Sequence, residues 1–196
     1  MRTKSVGELA NEWWSVGLRG GLAVVAGVVV VLSPIPHTER LLRVFGLYLV
    51  IDGLITLLAA IQAVIQRTSW LRLTINGLLG VVFGYANLAG NGTSPATRAD
   101  IIAVRTLVVG VSGIILAWQV RGALPDNLPE RLLILAGVGS IIFSLIIFVG
   151  PTIEAAILGG LDWLATLYLL VFGLLLLVIA ARLRTIAQTP TPAQAT

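Results

Sequence analysis

Six apolar stretches, parted by proline, glycine, asparagine and charge, occupy nearly the whole chain, and each is close to the roughly 20 residues a helix needs to cross a hydrocarbon core. The first extends from Trp13 to Leu32 and stops at Ser33-Pro34-Ile35-Pro36, two prolines that cannot continue a helix. The second runs from Leu41 to Gln66. The third, Trp70 to Ala89, ends in the turn-forming cluster Gly90-Asn91-Gly92-Thr93-Ser94-Pro95. A fourth covers Asp100 to Val120, and Pro125-Asp126-Asn127-Leu128-Pro129 separates it from a fifth, Arg131 to Val149. Gly150-Pro151 closes that one, and the sixth occupies Ile157 to Ala181. Composition removes the soluble alternative. Of 196 residues 57% are hydrophobic and only 11% charged, with a mean hydropathy of +0.98, whereas a soluble domain carries about a quarter charged residues. The fold class is therefore all-α: a polytopic membrane protein of six spans forming one transmembrane domain over residues 1–188. Residues 189–196, built of Pro, Thr, Ala and Gln, are expected to be a disordered tail.

Short loops make the positive-inside rule applicable. Arg2, Lys4, Arg67, Arg72, Arg121, Arg131, Arg182 and Arg184 fall on the side of the first span's start; Arg40, Arg43 and Arg98 fall on the other. Eight against three predicts both termini in the cytoplasm. Arg2 and Lys4 ahead of an apolar run would also suit a secretory signal, but no small-x-small cleavage site precedes Ser33-Pro34. The pI of 10.3 reflects a net charge of +4 spread thinly, so no nucleic-acid surface is expected. The partners expected are the lipid bilayer and either a second copy of the chain or another membrane protein.

An internal repeat organises the spans. Gly53, Gly113 and Gly173 recur at intervals of 60 in the even-numbered spans. In the odd-numbered ones Gly20 and Gly27, Gly77 and Gly84, and Gly137 and Ser144 stand seven apart, nearly two helical turns, so each pair shares a face. Small residues on one face let membrane helices approach closely, which makes Gly20, Gly27, Gly53, Gly77, Gly84, Gly113, Gly137 and Gly173 packing positions. The chain reads as three helical hairpins, at about 13–66, 70–121 and 131–182.

Ionisable groups at membrane depth are the default functional candidates. Arg19, Asp52, Arg105 and Asp162 qualify. In an antiparallel hairpin, residues at equal depth have numbers that sum to twice the turn centre; 19 plus 52 gives a centre of 35.5, inside the proline turn, so Arg19 and Asp52 should face each other. Their repeat equivalents are Asn76 and Ser112, expected as a hydrogen-bonding pair, then Ala136 and Phe172. The set reads either as a clamp on the first hairpin or as a polar patch for a proton, ion or ligand. Arg105 and Asp162, at matching depth below the outer ends of their spans, are candidates for a second pair, the alternative for Arg105 being to snorkel outward. Trp13, Trp14, Trp70 and Trp163 sit near span ends, where indoles favour the interface. His37 and Glu39, in an outward loop, are candidates for pH sensing, since histidine titrates at about 6.5 and carboxylates at about 4.

Trp13-Trp14, Leu18-Arg19-Gly20, the Ser33-Pro34 stop, Phe45-Gly46-Leu47-Tyr48-Leu49-Val50-Ile51-Asp52-Gly53, Leu167-Tyr168-Leu169-Leu170-Val171-Phe172-Gly173 and Ala181-Arg182-Leu183-Arg184 together resemble the HdeD-type acid-resistance membrane proteins. The resemblance covers about Trp13 to Arg184 and departs from the pattern between Asn76 and Arg98. It implies a six-span bacterial inner-membrane protein linked to acid or envelope stress, and it implies no catalytic residues.

Enzymatic classes lack their groups. Cysteine is absent, the single histidine is in a loop, and there is no Gly-x-Ser-x-Gly, phosphate loop or dinucleotide fingerprint. An intramembrane aspartyl protease needs two aspartates at one depth, which Asp52 and Asp162 are not. No catalytic residue, metal site or cofactor is expected. The alternatives to a stress-tolerance protein are a small proton, ion or solute transporter or channel, or an accessory subunit of a larger complex.

Overall fold

The computed structural model describes residues 13–32, 38–66, 70–90, 93–121, 127–149 and 158–188. Six helices account for almost all of them: α1 Trp13–Leu32, α2 Thr38–Ile65, α3 Leu71–Ala89, α4 Pro95–Val120, α5 Leu128–Val149 and α6 Leu158–Gln188. Each contains a window apolar and long enough to span a membrane. The protein is an all-α, six-span membrane protein.

Two boundaries differ from the sequence expectation by five residues or more. Helix α4 begins at Pro95 rather than Asp100, because Ser94 caps it: the Thr97 N–H donates to Ser94 Oγ at 3.2 Å, with proline at a first-turn position where its missing N–H is harmless. Helix α6 continues past Ala181 to Gln188 because Leu183 still buries its side chain in the bundle. The proline turn at 33–36, His37 and the tail at 189–196 lie outside the described residues, as do the side chains of Glu39 and Asp162.

The helices close into a ring in chain order, with α6 returning to pack on α1. The most extensive contacts do not lie inside the three sequence hairpins. They lie between them, at α2–α3, α4–α5 and α6–α1. The glycines explain why. A Cβ placed on Gly53 would lie 2.7 Å from the Gly77 carbonyl oxygen, one on Gly110 2.7 Å from that of Gly137, and one on Gly173 2.8 Å from that of Gly20. Backbone meets backbone at all three seams, and each seam joins the even helix of one repeat to the odd helix of the next. Gly27 packs on Leu170 and Gly84 on Val50, so these faces too are spent inside the bundle.

Residue size is distributed accordingly. Ala23, Ala103, Ala117, Ser140 and Ser144 are fully buried, while Leu18, Val25, Leu58, Leu78, Ile142 and Leu167 are exposed on the ring's outer surface, where the bilayer accommodates them. Ser144 Oγ reaches across a seam to donate to the Ala103 carbonyl at 2.8 Å. At the ring closure the Arg184 guanidinium lies 5.2 Å from the Trp13 ring, so the start of α1 and the end of α6 share one side of the membrane.

The seam geometry separates glycines that look alike in the sequence. Around Gly113 the nearest atom to an added Cβ is Gly137 Cα at 3.7 Å, an ordinary contact, whereas at Gly53 a backbone nitrogen stands 2.6 Å away. Gly53→Ala is expected to destabilise the protein by about 1–3 kcal/mol through overpacking, and Gly113→Ala to leave it unchanged or slightly more stable. Thermal unfolding of the two purified variants in detergent checks this; equal midpoints would contradict it.

Candidate functional site at the centre of the ring

Asp52 lies midway along α2 and is 1% exposed. An ionised carboxylate at that depth requires a partner, and the ring supplies two. Arg19, on α1, donates from Nε to Oδ1 at 2.6 Å, with Nη2 3.4 Å from Oδ2. Arg105, on α4, places its own Nη2 3.4 Å from the same Oδ2. The Thr56 hydroxyl, one turn further along α2, donates to the Asp52 carbonyl at 2.7 Å and so holds the local backbone.

Arg105 is itself 1% exposed, so it does not snorkel to an interface, while the expected pairing with Asp162 falls on a side chain outside the described residues. Its inward direction follows from the repeat. Residue 105 minus 60 is 45, and Phe45 and Ala165, its equivalents, are both buried. Two guanidiniums on one carboxylate leave a formal excess of one positive charge in the interior. Two buried donors of Arg105, Nε and Nη1, have no hydrogen-bond partner among the described residues.

Asn76 and Ser112 do not pair with each other. Asn76 Nδ2 donates to the Arg72 carbonyl at 3.2 Å and Ser112 Oγ to the Val109 carbonyl at 3.0 Å, each satisfied within its own helix as short polar side chains commonly are. Both nevertheless face the same space. A cavity of about 130 Å³ lies beside Arg19 and is lined from all six helices. Its wall repeats with the sequence: Arg19, Asn76 and Ala136 form one equivalent set, Val16, Leu73 and Leu133 another, and Thr56, Leu116 and Leu176 a third. The cavity therefore sits on the pseudo-threefold axis of the ring. Arg72, also on the cavity wall, donates from Nη1 to Gln119 Oε1 at 3.0 Å, tying α3 to α4 near the ends of the helices on that side.

On the opposite side of the charges the interior is filled by aromatic rings that the sequence did not mark as site residues. Phe143 and Tyr168 stack at 4.2 Å with only 2° between planes, Phe45 lies 6.5 Å from each, and Phe172 lies 5.4 Å from Tyr168. The Tyr168 hydroxyl is 3.1 Å from Ser140 Oγ. A signal for this layer existed, since 168 minus 48 is twice 60 and the two tyrosines occupy one repeat position.

Residues 18–89 match the family of a short repeat of unknown function, DUF308. That family contains HdeD-like membrane proteins. No curated protein and no solved structure matches the chain. The matched segment holds Arg19, Asp52 and the whole α2–α3 seam, and it stops short of Arg105.

The three-member cluster makes an ordered prediction. Asp52→Asn strands two buried guanidiniums and is expected to cost about 3–5 kcal/mol, the range for breaking a buried ion pair. Arg19→Gln leaves Asp52 paired with Arg105 and should cost clearly less. Combining Asp52→Asn with Arg105→Gln should recover part of the loss. Unfolding midpoints of the purified variants decide the order, and Arg19→Gln being as damaging as Asp52→Asn would refute a shared carboxylate.

Proposed function

We propose that this is a non-enzymatic, multi-pass protein of the bacterial cytoplasmic membrane that contributes to tolerance of acid or envelope stress, with both termini in the cytoplasm. The observation that carries the non-enzymatic reading is the state of the polar groups at the centre. The Thr56 and Ser112 hydroxyls are committed as donors to carbonyls of their own helices, and the Asp52 carboxylate is held between two guanidiniums. None of them is poised as a nucleophile beside a base, which is what acyl or phosphoryl transfer requires. The stress role is supported by the resemblance of the Trp13 to Arg184 pattern to HdeD-type proteins and by the repeat match over residues 18–89.

Placing the termini in the cytoplasm is supported by the eight-to-three distribution of Lys and Arg. A cytoplasm-active fluorescent reporter fused after Gln188 should be bright, and a phosphatase reporter active only outside the membrane should work when inserted after Gly92. The opposite pattern would invert the topology.

A second reading, a small transporter, is favoured by one observation: the central cavity is bounded on one side by the aromatic layer, so its nearer approach is from the other side alone. One-sided access beside buried charge is the arrangement of a binding site that opens alternately. Separating the two readings takes paired assays. A deletion strain should lose an order of magnitude in survival of strong acid and regain it with the wild-type gene, while proteoliposomes carrying the protein should show no flux of protons or small ions. Survival equal to wild type in the deletion strain would overturn the stress assignment, and protein-dependent flux would replace it with transport.

A further inference from the structure

The central cavity has a polarity of its own. At its deep end stand Arg19, whose side chain is 22% exposed, and the amide of Asn76. Away from them the wall is mostly hydrocarbon, from Leu73, Leu116, Leu133 and Leu176, with Thr56, Ser112 and the Arg72 guanidinium as its other polar members. No carboxylate lines the space among the described residues. Asp52, which pairs with Arg19, is divided between two guanidiniums, so the cluster carries more positive charge than its carboxylate neutralises. Charge neutrality thus asks for a monovalent anion, and the Arg19 guanidinium beside the Asn76 amide suits one with two acceptor atoms.

We propose that the ring binds a short-chain monocarboxylate in this cavity. Its carboxylate lies against the Arg19 guanidinium and the free Asn76 N–H, and its alkyl chain lies among the leucines. Three properties select that class. One negative charge cancels the formal excess. The two oxygens of a carboxylate match the planar fork of an arginine. The volume of about 130 Å³ takes a few carbons, being slightly smaller than a cavity of about 150 Å³ known to admit benzene. Drawn partly onto the anion, Arg19 yields more of Asp52 to Arg105. This inference goes beyond the stress-tolerance reading and stands or falls without it.

Equilibrium binding of radiolabelled butyrate to the purified full chain in detergent tests it. One saturable site per chain is expected, displaced by unlabelled butyrate and not by butyramide, which has the same shape without the charge. Arg19→Gln should weaken binding by about tenfold or more, as expected for loss of a charge-assisted hydrogen-bonded pair. Leu116→Phe, which fills the hydrocarbon end and leaves Arg19 in place, should weaken butyrate while sparing formate, and it keeps the test decisive if Arg19→Gln does not fold. Absence of saturable binding to the wild-type chain would overturn the proposal, as would butyramide competing as well as butyrate. Chloride competing as well as butyrate would overturn the carboxylate assignment in favour of a halide.

Discussion

Lipid gives helices no hydrophobic reason to associate, since a leucine is as well accommodated by acyl chains as by another helix. What brings the helices of this protein together is backbone-to-backbone proximity, and only glycine permits it at the three seams where Gly53 meets Gly77, Gly110 meets Gly137 and Gly173 meets Gly20. Close approach multiplies van der Waals contact and shuts out lipid. It also fixes which helices pair, because each seam joins the end of one repeat to the start of the next. The last seam has no next repeat to join and therefore returns to the first, and the ring closes.

Closure is what makes the charges tolerable. An open row of hairpins would leave Arg105 facing lipid or an interface, whereas in the ring it meets Asp52 from across the bundle, and Asp52 already meets Arg19 within its own hairpin. The threefold pattern then produces an asymmetric centre from symmetric walls. At equivalent positions one repeat places Arg19 and Asp52, the next Asn76 and Ser112, the last Ala136 and Phe172. Polarity falls around the ring, leaving a cavity whose wall is mostly hydrocarbon with polar groups from Arg19, Thr56, Arg72, Asn76 and Ser112.

Much of this was legible from residue numbers. The spans follow from hydropathy and turn residues, and the facing of Arg19 and Asp52 follows from the centre of a proline turn. The start of α4 was missed because Ser94-Pro95 reads equally as the end of a loop and as a cap with its first helical residue. The partner of Arg105 was missed for a different reason. Depth alone pointed to Asp162, while the direction of the side chain is set by the equivalence of 105 with 45 and 165, a comparison of faces rather than depths. Which helices the glycine faces would join was beyond the sequence, since a small face says that something approaches closely and not what. Asn76 and Ser112 satisfied themselves locally, a choice open to any short polar side chain in a helix.

Ring closure between α1 and α6 is the claim on which the centre depends, and the chain, which lacks cysteine, is already suited to testing it. A Cβ on Gly17 would lie 3.5 Å from Cβ of Ala180, within the separation of a native disulfide. Gly17→Cys combined with Ala180→Cys, oxidised in membranes, should give an intramolecular disulfide in nearly every chain, seen as a reducible mobility shift of the monomer. Chains that stay reduced, or that cross-link only to one another, would show that α6 does not return to α1 and that the ring is not closed.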